Sequence, residues 1–141
     1  MVSDVFGEVG IAATYGLVGL VLMALGFVLV DVLTPGNLRE QVWTERNKNA
    51  AILLATNLIG VGIIVATAIA ASHGDWAEGL LSTAAYGILG LVLMGVSFIV
   101  IDAFTPGKLG ALLVQGEPHP AVYVNGASHL AVSAIVAVAI F

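Results

Sequence analysis

Hydrophobic residues run along this chain in four long stretches that are separated by short polar breaks. The stretches cover roughly residues 9–33, 50–71, 79–104 and 121–141. Each is close to or above the ~20 residues that an α-helix needs to cross the ~30 Å hydrocarbon core of a bilayer. The pattern predicts an all-α integral membrane protein with four transmembrane helices and little chain outside them.

Composition strengthens this prediction and excludes several classes of protein. Of the 141 residues, 60% are hydrophobic and 9% are charged, and the mean hydropathy is +1.08. A soluble domain of this length carries far more surface charge, so we exclude a soluble enzyme and expect the lipid bilayer as the main partner. The net charge of −5 excludes a basic surface for nucleic acid. The chain has no cysteine, which removes disulfides and thiolate metal ligands.

The few basic residues indicate an orientation. All four lie in the first and third connections, as Arg39, Arg46 and Lys48 in one and Lys108 in the other. Cytoplasmic loops of membrane proteins carry an excess of Lys and Arg. We therefore expect loops one and three to be cytoplasmic and both termini to lie outside, an N-out/C-out topology.

The second half of the chain repeats the first with an offset of 71 residues. When residues 15–38 are aligned without a gap on residues 86–109, 13 of the 24 positions are identical. The repeat predicts two tandem hairpins of two spans each, residues 1–71 and 72–141. Because each unit has an even number of spans, both enter the membrane in the same sense and form a parallel repeat.

One helical face is preserved in both copies. Positions spaced by 4, 3, 4 and 4 residues share one side of a helix, and the five such positions of span one, from Gly16 to Asp31, are identical in span three. Lipid-facing positions need only be apolar, so we expect both faces to contact protein in a shared interior, with glycines that permit close approach. A recent duplication is the alternative, since Val21 and Leu22 also match off this face. The predicted packing or partner-binding residues are Gly16, Gly19, Leu20, Met23 and Phe27, with Gly87, Gly90, Leu91, Met94 and Phe98.

A six-residue motif follows each of these spans. Asp31-Val-Leu-Thr-Pro-Gly36 recurs as Asp102-Ala-Phe-Thr-Pro-Gly107. Thr followed by Pro is typical of a helix N-cap with proline at the first helical position, so we expect short interfacial helices after spans one and three. The two aspartates either cap these helices or pair with loop cations, or else they form a carboxylate pair in a proton or cation path.

Polar residues inside the last span form a second candidate site. Asn125, Ser128 and His129 are predicted on one face with Ser133, and only Asn57 keeps a polar residue at a matching position of span two. Hydrogen bonding between helices is the commoner use of such residues, and proton transfer through His129 is the alternative. The candidate polar or ion-site residues are Asp31, Asp102, Asn57, Asn125, Ser128 and His129.

Catalytic motifs are missing from the sequence. It contains no nucleophile elbow, phosphate-binding loop or zinc-protease motif. His73 and His119 lie in loops on opposite sides of the predicted membrane, so the three histidines do not form one metal site. We therefore expect no enzymatic activity, no metal and no cofactor.

The doubled hairpin resembles a known bacterial membrane family. Asp-x-x-Thr-Pro-Gly-x-Leu after spans one and three, and Asn47-Lys-Asn49-Ala-Ala-Ile at the start of span two, are similar to domain-of-unknown-function family 350, and Glu117-Pro-His-Pro120-Ala-Val to its actinobacterial type. The family has no established activity. Its members tend to be encoded beside envelope-stress proteins and glutathionylspermidine-synthase-like ligases, which implies a membrane-maintenance or stress role in the bacterial plasma (inner) membrane.

Three functions are consistent with these observations. The first is a non-enzymatic accessory or assembly subunit of a larger membrane complex or of a homo-oligomer. The second is a small proton or cation channel or transporter that uses the intramembrane Asp, Asn and His residues. An enzyme acting on lipid headgroups is a more distant third, because it would depend on one histidine and shallow carboxylates.

Overall fold

Five α-helices make up the part of the chain that the computed structural model describes, which is residues 1–34, 36–72, 74–104 and 119–141. Four of them are long and apolar enough to cross a membrane, which confirms the predicted all-α membrane fold. The first begins at Val2 rather than near residue 9. The helix expected after span three falls in residues 105–118, outside the described residues. The helices are α1 (Val2–Leu33), α2 (Leu38–Trp43), α3 (Lys48–Ala71), α4 (Trp76–Phe104) and α5 (Pro120–Ile140).

The second and fourth spans form the most extensive helix pair. Helices α3 and α5 run side by side in the same direction, and a β-carbon placed on Gly126 of α5 would lie 2.9 Å from Thr56 Cγ2 of α3. Helix α4 packs against both of them, whereas α1 packs against α3 and α4. Helix α1 therefore lies at one edge of the bundle. The division into two hairpin units and the N-out/C-out orientation stay predictions.

Buried apolar side chains form two clusters at different depths. One surrounds Leu53, Phe98 and Val122, and the other surrounds Val61 and Met94. Asn57 of α3 and the buried polar residues of α5 lie between these clusters along their helices. Position along the helix determines the depth of these polar residues in the bundle, because each residue adds ~1.5 Å of rise.

The connection from α1 to α2 is a tight corner. Thr34 ends α1 with extended backbone, and Gly36 takes a φ of +86°, a conformation that glycine adopts without strain. Asn37 then caps α2 by accepting a hydrogen bond from the Glu40 amide at 3.2 Å. The short helix after span one is confirmed, but the prediction that Thr34 caps it is wrong because the Asn37 side chain takes that role three residues later. The matching Thr105 lies outside the described residues.

Candidate functional site

The preserved face of α4 is buried against the rest of the bundle. All five of its predicted packing residues are buried, with Met94 fully inaccessible. A β-carbon placed on Gly87 would lie 2.9 Å from Leu22 Cδ2, and one placed on Gly90 would lie 2.8 Å from Ile64 Cδ1. The two glycines thus let leucine and isoleucine side chains of α1 and α3 rest against the α4 backbone, as predicted for a packed interior.

The matching face of α1 is only partly covered. Gly16 is exposed and has no atom within 4 Å of the position of a β-carbon, and Leu20 is 67% exposed. The expectation of a shared interior is therefore wrong for the first half of this face. The reason is a rotation of about 100° around the helix axis, because α1 turns Leu22, Gly26 and Val30 toward the bundle instead.

The remaining α1 positions of this face are half-buried. A β-carbon on Gly19 would lie 3.2 Å from Val65 Cγ1 of α3, and Met23 borders the cluster around Val61. The Phe27 ring lies 6.5 Å from the ring of Trp43 in α2, measured between centroids. Protein therefore partly covers Gly19, Met23 and Phe27, and the exposed residues Gly16 and Leu20 form the open half of the α1 face.

A cluster of polar side chains lies inside the bundle. Asn57 of α3 and Asn125, His129 and Ser133 of α5 are each at most 2% exposed. Asn57 Nδ2 donates to the Gly26 carbonyl of α1 at 3.2 Å. Ser133 Oγ donates to the His129 carbonyl at 2.7 Å, which satisfies the hydroxyl within its own helix. The Asn57 hydrogen bond therefore links α3 to α1, and Ser133 lies where α5 packs on Gly60 of α3.

Several atoms of this cluster have no hydrogen-bond partner among the described residues. They are Asn57 Oδ1, both amide atoms of Asn125 and both ring nitrogens of His129. Burial of an unpaired polar group in an apolar environment is costly, and such groups within membrane spans are often functional. These three side chains are therefore the part of the predicted site that buries polar atoms without a partner among the described residues.

Ser128 does not belong to this cluster. Its hydroxyl donates to the Val124 carbonyl of α5 at 2.8 Å, and the side chain is only half-buried. Ser128 lies about 60° from Asn125 and about 100° from His129 around the helix, at the edge of their face, and its place in the site stays a prediction.

The packing of α4 on α5 places Asp102 near the level of the cluster. Ser133 Oγ lies 3.7 Å from Met94 Sδ, and the rings of Phe98 and His129 lie 6.1 Å apart between centroids. One more step of four residues on each antiparallel helix brings Asp102, which is half-buried, to the level of Asn125. The matching level in the first half of the chain would pair Asp31 with the apolar Leu54, so only the second half has polar residues on both helices there.

Asp31 has a local structural role. Its Oδ1 atom accepts a hydrogen bond from the Leu38 amide, the first residue of α2, at 2.7 Å. Backbone amides of the first helical turn have no partner within the helix, and a carboxylate is a strong acceptor for them. This hydrogen bond supports the capping interpretation of Asp31.

One buried contact was not foreseen from the sequence. Asn49, which is fully buried, accepts a hydrogen bond from the His119 amide at 3.2 Å, and His119 Nδ1 accepts one from the Ala121 amide at 3.0 Å. These bonds join the beginnings of α3 and α5. The only sequence signal was the Asn-Lys-Asn run before span two, which does not identify a partner 70 residues away.

Few side chains of the described residues are suited to catalysis or metal binding. Among residues 1–34, 36–72, 74–104 and 119–141, no group of three or more His, Asp or Glu side chains could hold a metal ion. The fold and this interior define a small multi-pass α-helical membrane protein that buries a few uncharged polar groups.

Comparison with known proteins places the chain in a family. Residues 4–140 match the family described as Domain of Unknown Function (DUF350), and the chain belongs to it. A UPF0719 transmembrane protein of Mycobacterium bovis is 38% identical over 133 residues, which cover 93% of this chain and 88% of that protein. One of Mycolicibacterium paratuberculosis is 33% identical over 126 residues, covering 89% of this chain and 83% of the relative. No solved structure matches the chain. The predicted resemblance, including its actinobacterial character, is confirmed.

Proposed function

We propose that this protein is a non-catalytic assembly subunit of the bacterial plasma membrane, either in a homo-oligomer or as an accessory chain of a larger complex. The observation that carries the proposal is the open half of the α1 face. Gly16 and Leu20 are exposed, yet they are identical to Gly87 and Leu91, which are buried in protein contacts on α4. Lipid requires only apolar side chains, so an exposed glycine and leucine in this register favour a protein partner.

The physics of association in a bilayer supports this choice. Apolar side chains gain no hydrophobic free energy by leaving lipid for another helix, so close packing at small residues drives association. Gly16 offers such a site because no other described residue lies within 4 Å of a β-carbon placed on it. The envelope-maintenance or stress role belongs to the same proposal, since a subunit with short loops would act through the proteins it assembles with.

The subunit composition of the intact protein tests this function. The full chain is extracted from membranes with surrounding lipid, by a nanodisc-forming polymer, and weighed by native mass spectrometry. We expect a particle with more than one protein subunit. A monomer without any co-purifying chain would contradict the assembly function.

A small proton or cation pathway is the second candidate, favoured by the unpaired buried atoms of Asn125 and His129 and by Asp102 at the same level. Flux through proteoliposomes containing the purified chain tests it. A pathway through these groups predicts flux that falls in His129→Leu and in the double variant Asp31→Asn with Asp102→Asn. Ser128→Ala is the matched control, since that side chain is bonded to its own helix. Flux that is equal in all variants would remove these residues from any pathway.

A further inference from the structure

Within one chain, α1 and α4 meet through a regular set of contacts. Leu22 rests on Gly87, Leu91 lies against Gly26, and a β-carbon on Gly95 would lie 3.4 Å from Leu29 Cδ1. Each contact sets a leucine on one helix against a glycine on the other. In this interface α1 contributes the side that contains Leu22, and α4 contributes the preserved face that contains Gly87.

Both sides of this interface recur, unpaired, elsewhere on the same chain. At the 71-residue offset, the α1 residues of this interface, Leu22, Gly26 and Leu29, correspond to Leu93, Ser97 and Val100 of α4. The α4 residues, Gly87, Leu91 and Gly95, correspond to Gly16, Leu20 and Ala24 of α1. Leu93 is 39% exposed and Val100 is 47% exposed, Ser97 is half-buried, and the three α1 residues are exposed. A single chain therefore carries one closed copy of the interface and the two halves of a second copy, one on α1 and the other on α4.

The contacts between α3 and α5 have the same property. Thr56 of α3 packs on Gly126 of α5, and Gly60 packs on Ser133. At the same offset, Thr56 and Gly60 correspond to Ala127 and Ala131 of α5, and both of these alanines are exposed. Gly126 and Ser133 correspond to Ala55 and Gly62 of α3. Ala55 is exposed, and Gly62 has open space where a β-carbon would lie.

We infer that the open face of α1 is covered by α4 of a second copy of this chain, with Leu93 of one copy resting on Gly16 of the next. This inference rests on the proposed assembly function and names its partner. A second copy is favoured over an unrelated chain because it already presents the surface that covers this face within the molecule. The inference also explains why Leu22 is identical to Leu93 although both lie off the preserved face. Each of these leucines would pack on a glycine, Leu22 on Gly87 and Leu93 on Gly16 of the next copy.

The contact is heterologous, because the two copies contribute different surfaces. Such contacts close into rings or continue as open rows. Because α1 and α4 run in the same direction in the contact within one chain, a second copy that repeats this contact keeps the same orientation across the membrane. A symmetric dimer, in contrast, would place the same residue of both copies at the interface.

Cysteine cross-linking between copies tests this register directly, since the natural chain has no cysteine. Two differently tagged full-length chains are co-expressed, one with Gly16→Cys and the other with Leu93→Cys, and mild oxidant is added to intact membranes. We expect a covalent dimer that carries both tags, because disulfides form only between residues whose Cα atoms are about 4.4–6.8 Å apart. A chain with both Leu22→Cys and Gly87→Cys is the internal reference and should cross-link within one molecule.

The matched control moves one partner to the neighbouring helical face. Gly16→Cys paired with Val92→Cys should lose the doubly tagged dimer, because Val92 lies about 100° around α4 from Leu93. Dimers formed by Gly16→Cys chains with each other would show a symmetric contact and overturn the inference. A multi-subunit particle without the Gly16 to Leu93 cross-link would also overturn it while leaving the assembly function standing. A strict monomer would overturn both.

Discussion

The Asp31 carboxylate accepts a hydrogen bond from the Leu38 amide at 2.7 Å and so ties the last turn of α1 to the first residue of α2. Leu38 is itself fully buried in the cluster around Leu53. The hydrogen bond therefore holds the short interfacial helix in the position where its leucine completes the core.

Removal of this cap should destabilise the fold. We expect Asp31→Ala to lower the free energy of unfolding by about 0.5–2 kcal/mol, the usual loss when a capping side chain is removed. Asp31→Asn should lose less, because the amide oxygen still accepts the hydrogen bond. Denaturant unfolding in mixed micelles measures the difference, with Glu45→Ala as a control at an exposed acidic residue of the same connection. Equal stability of Asp31→Ala and Glu45→Ala would contradict the capping role.

Two glycines that are identical in the repeat should respond differently to the same substitution. Gly87→Leu should lower the free energy of unfolding by about 1–3 kcal/mol, because the added side chain overlaps Leu22. Gly16→Leu should leave the fold of the single chain intact, since the space around Gly16 is open. Unfolding is measured in a detergent that separates subunits. Comparable losses for both variants would contradict the open α1 face.

Two of the buried asparagines, Asn57 and Asn125, should also behave differently. Asn57→Leu removes the hydrogen bond to the Gly26 carbonyl and should cost about 0.6 kcal/mol, the average for such bonds between membrane helices. Asn125→Leu should raise the free energy of unfolding, because neither amide atom has a partner among the described residues and Leu54 occupies the matching position of α3. A loss of stability in Asn125→Leu equal to that in Asn57→Leu would indicate a partner for Asn125.

The predicted orientation determines which connections a membrane-impermeant reagent can reach from outside the cell. Glu45→Cys and Asp75→Cys place single thiols at exposed positions in the first and second connections. With loops one and three in the cytoplasm, an impermeant maleimide applied to intact cells should label Asp75→Cys and spare Glu45→Cys. Labelling becomes equal once the membrane is permeabilised. The reverse pattern in intact cells would invert the topology.

Much of the fold could be predicted from the sequence because hydrophobic length alone determines what crosses a bilayer. The buried face of α4 was also predictable, since Gly87, Met94 and Phe98 are kept in helical register. The open half of the α1 face was not, because Gly16 has the same local sequence as Gly87 but no neighbouring helix. Repetition shows that two faces are alike and does not show which of them is covered.

Other features of the structure could not be predicted because several residues could fill the same role. Thr34 and Asn37 are both good capping residues with extended backbone, and Asn37 takes the role because α2 begins at Leu38. Ser128 lies at the edge of the face that holds Asn125 and His129, and the sequence does not show that its hydroxyl bonds the Val124 carbonyl of its own helix. The bond between Asn49 and His119 joins residues far apart in sequence, and no local pattern specifies it.

The central claim is that the open α1 face holds the protein in an assembly, and the subunit number of Gly16→Leu tests it most directly. Gly10→Leu is the matched control, because Gly10 lies on the same helix with open space around it and on a different side from Gly16. Native mass spectrometry in extracted lipid particles should show several subunits for the natural chain and for Gly10→Leu, and a shift to monomers for Gly16→Leu with unchanged helicity. The same subunit number in all three proteins, or a monomer in all three, would contradict the claim.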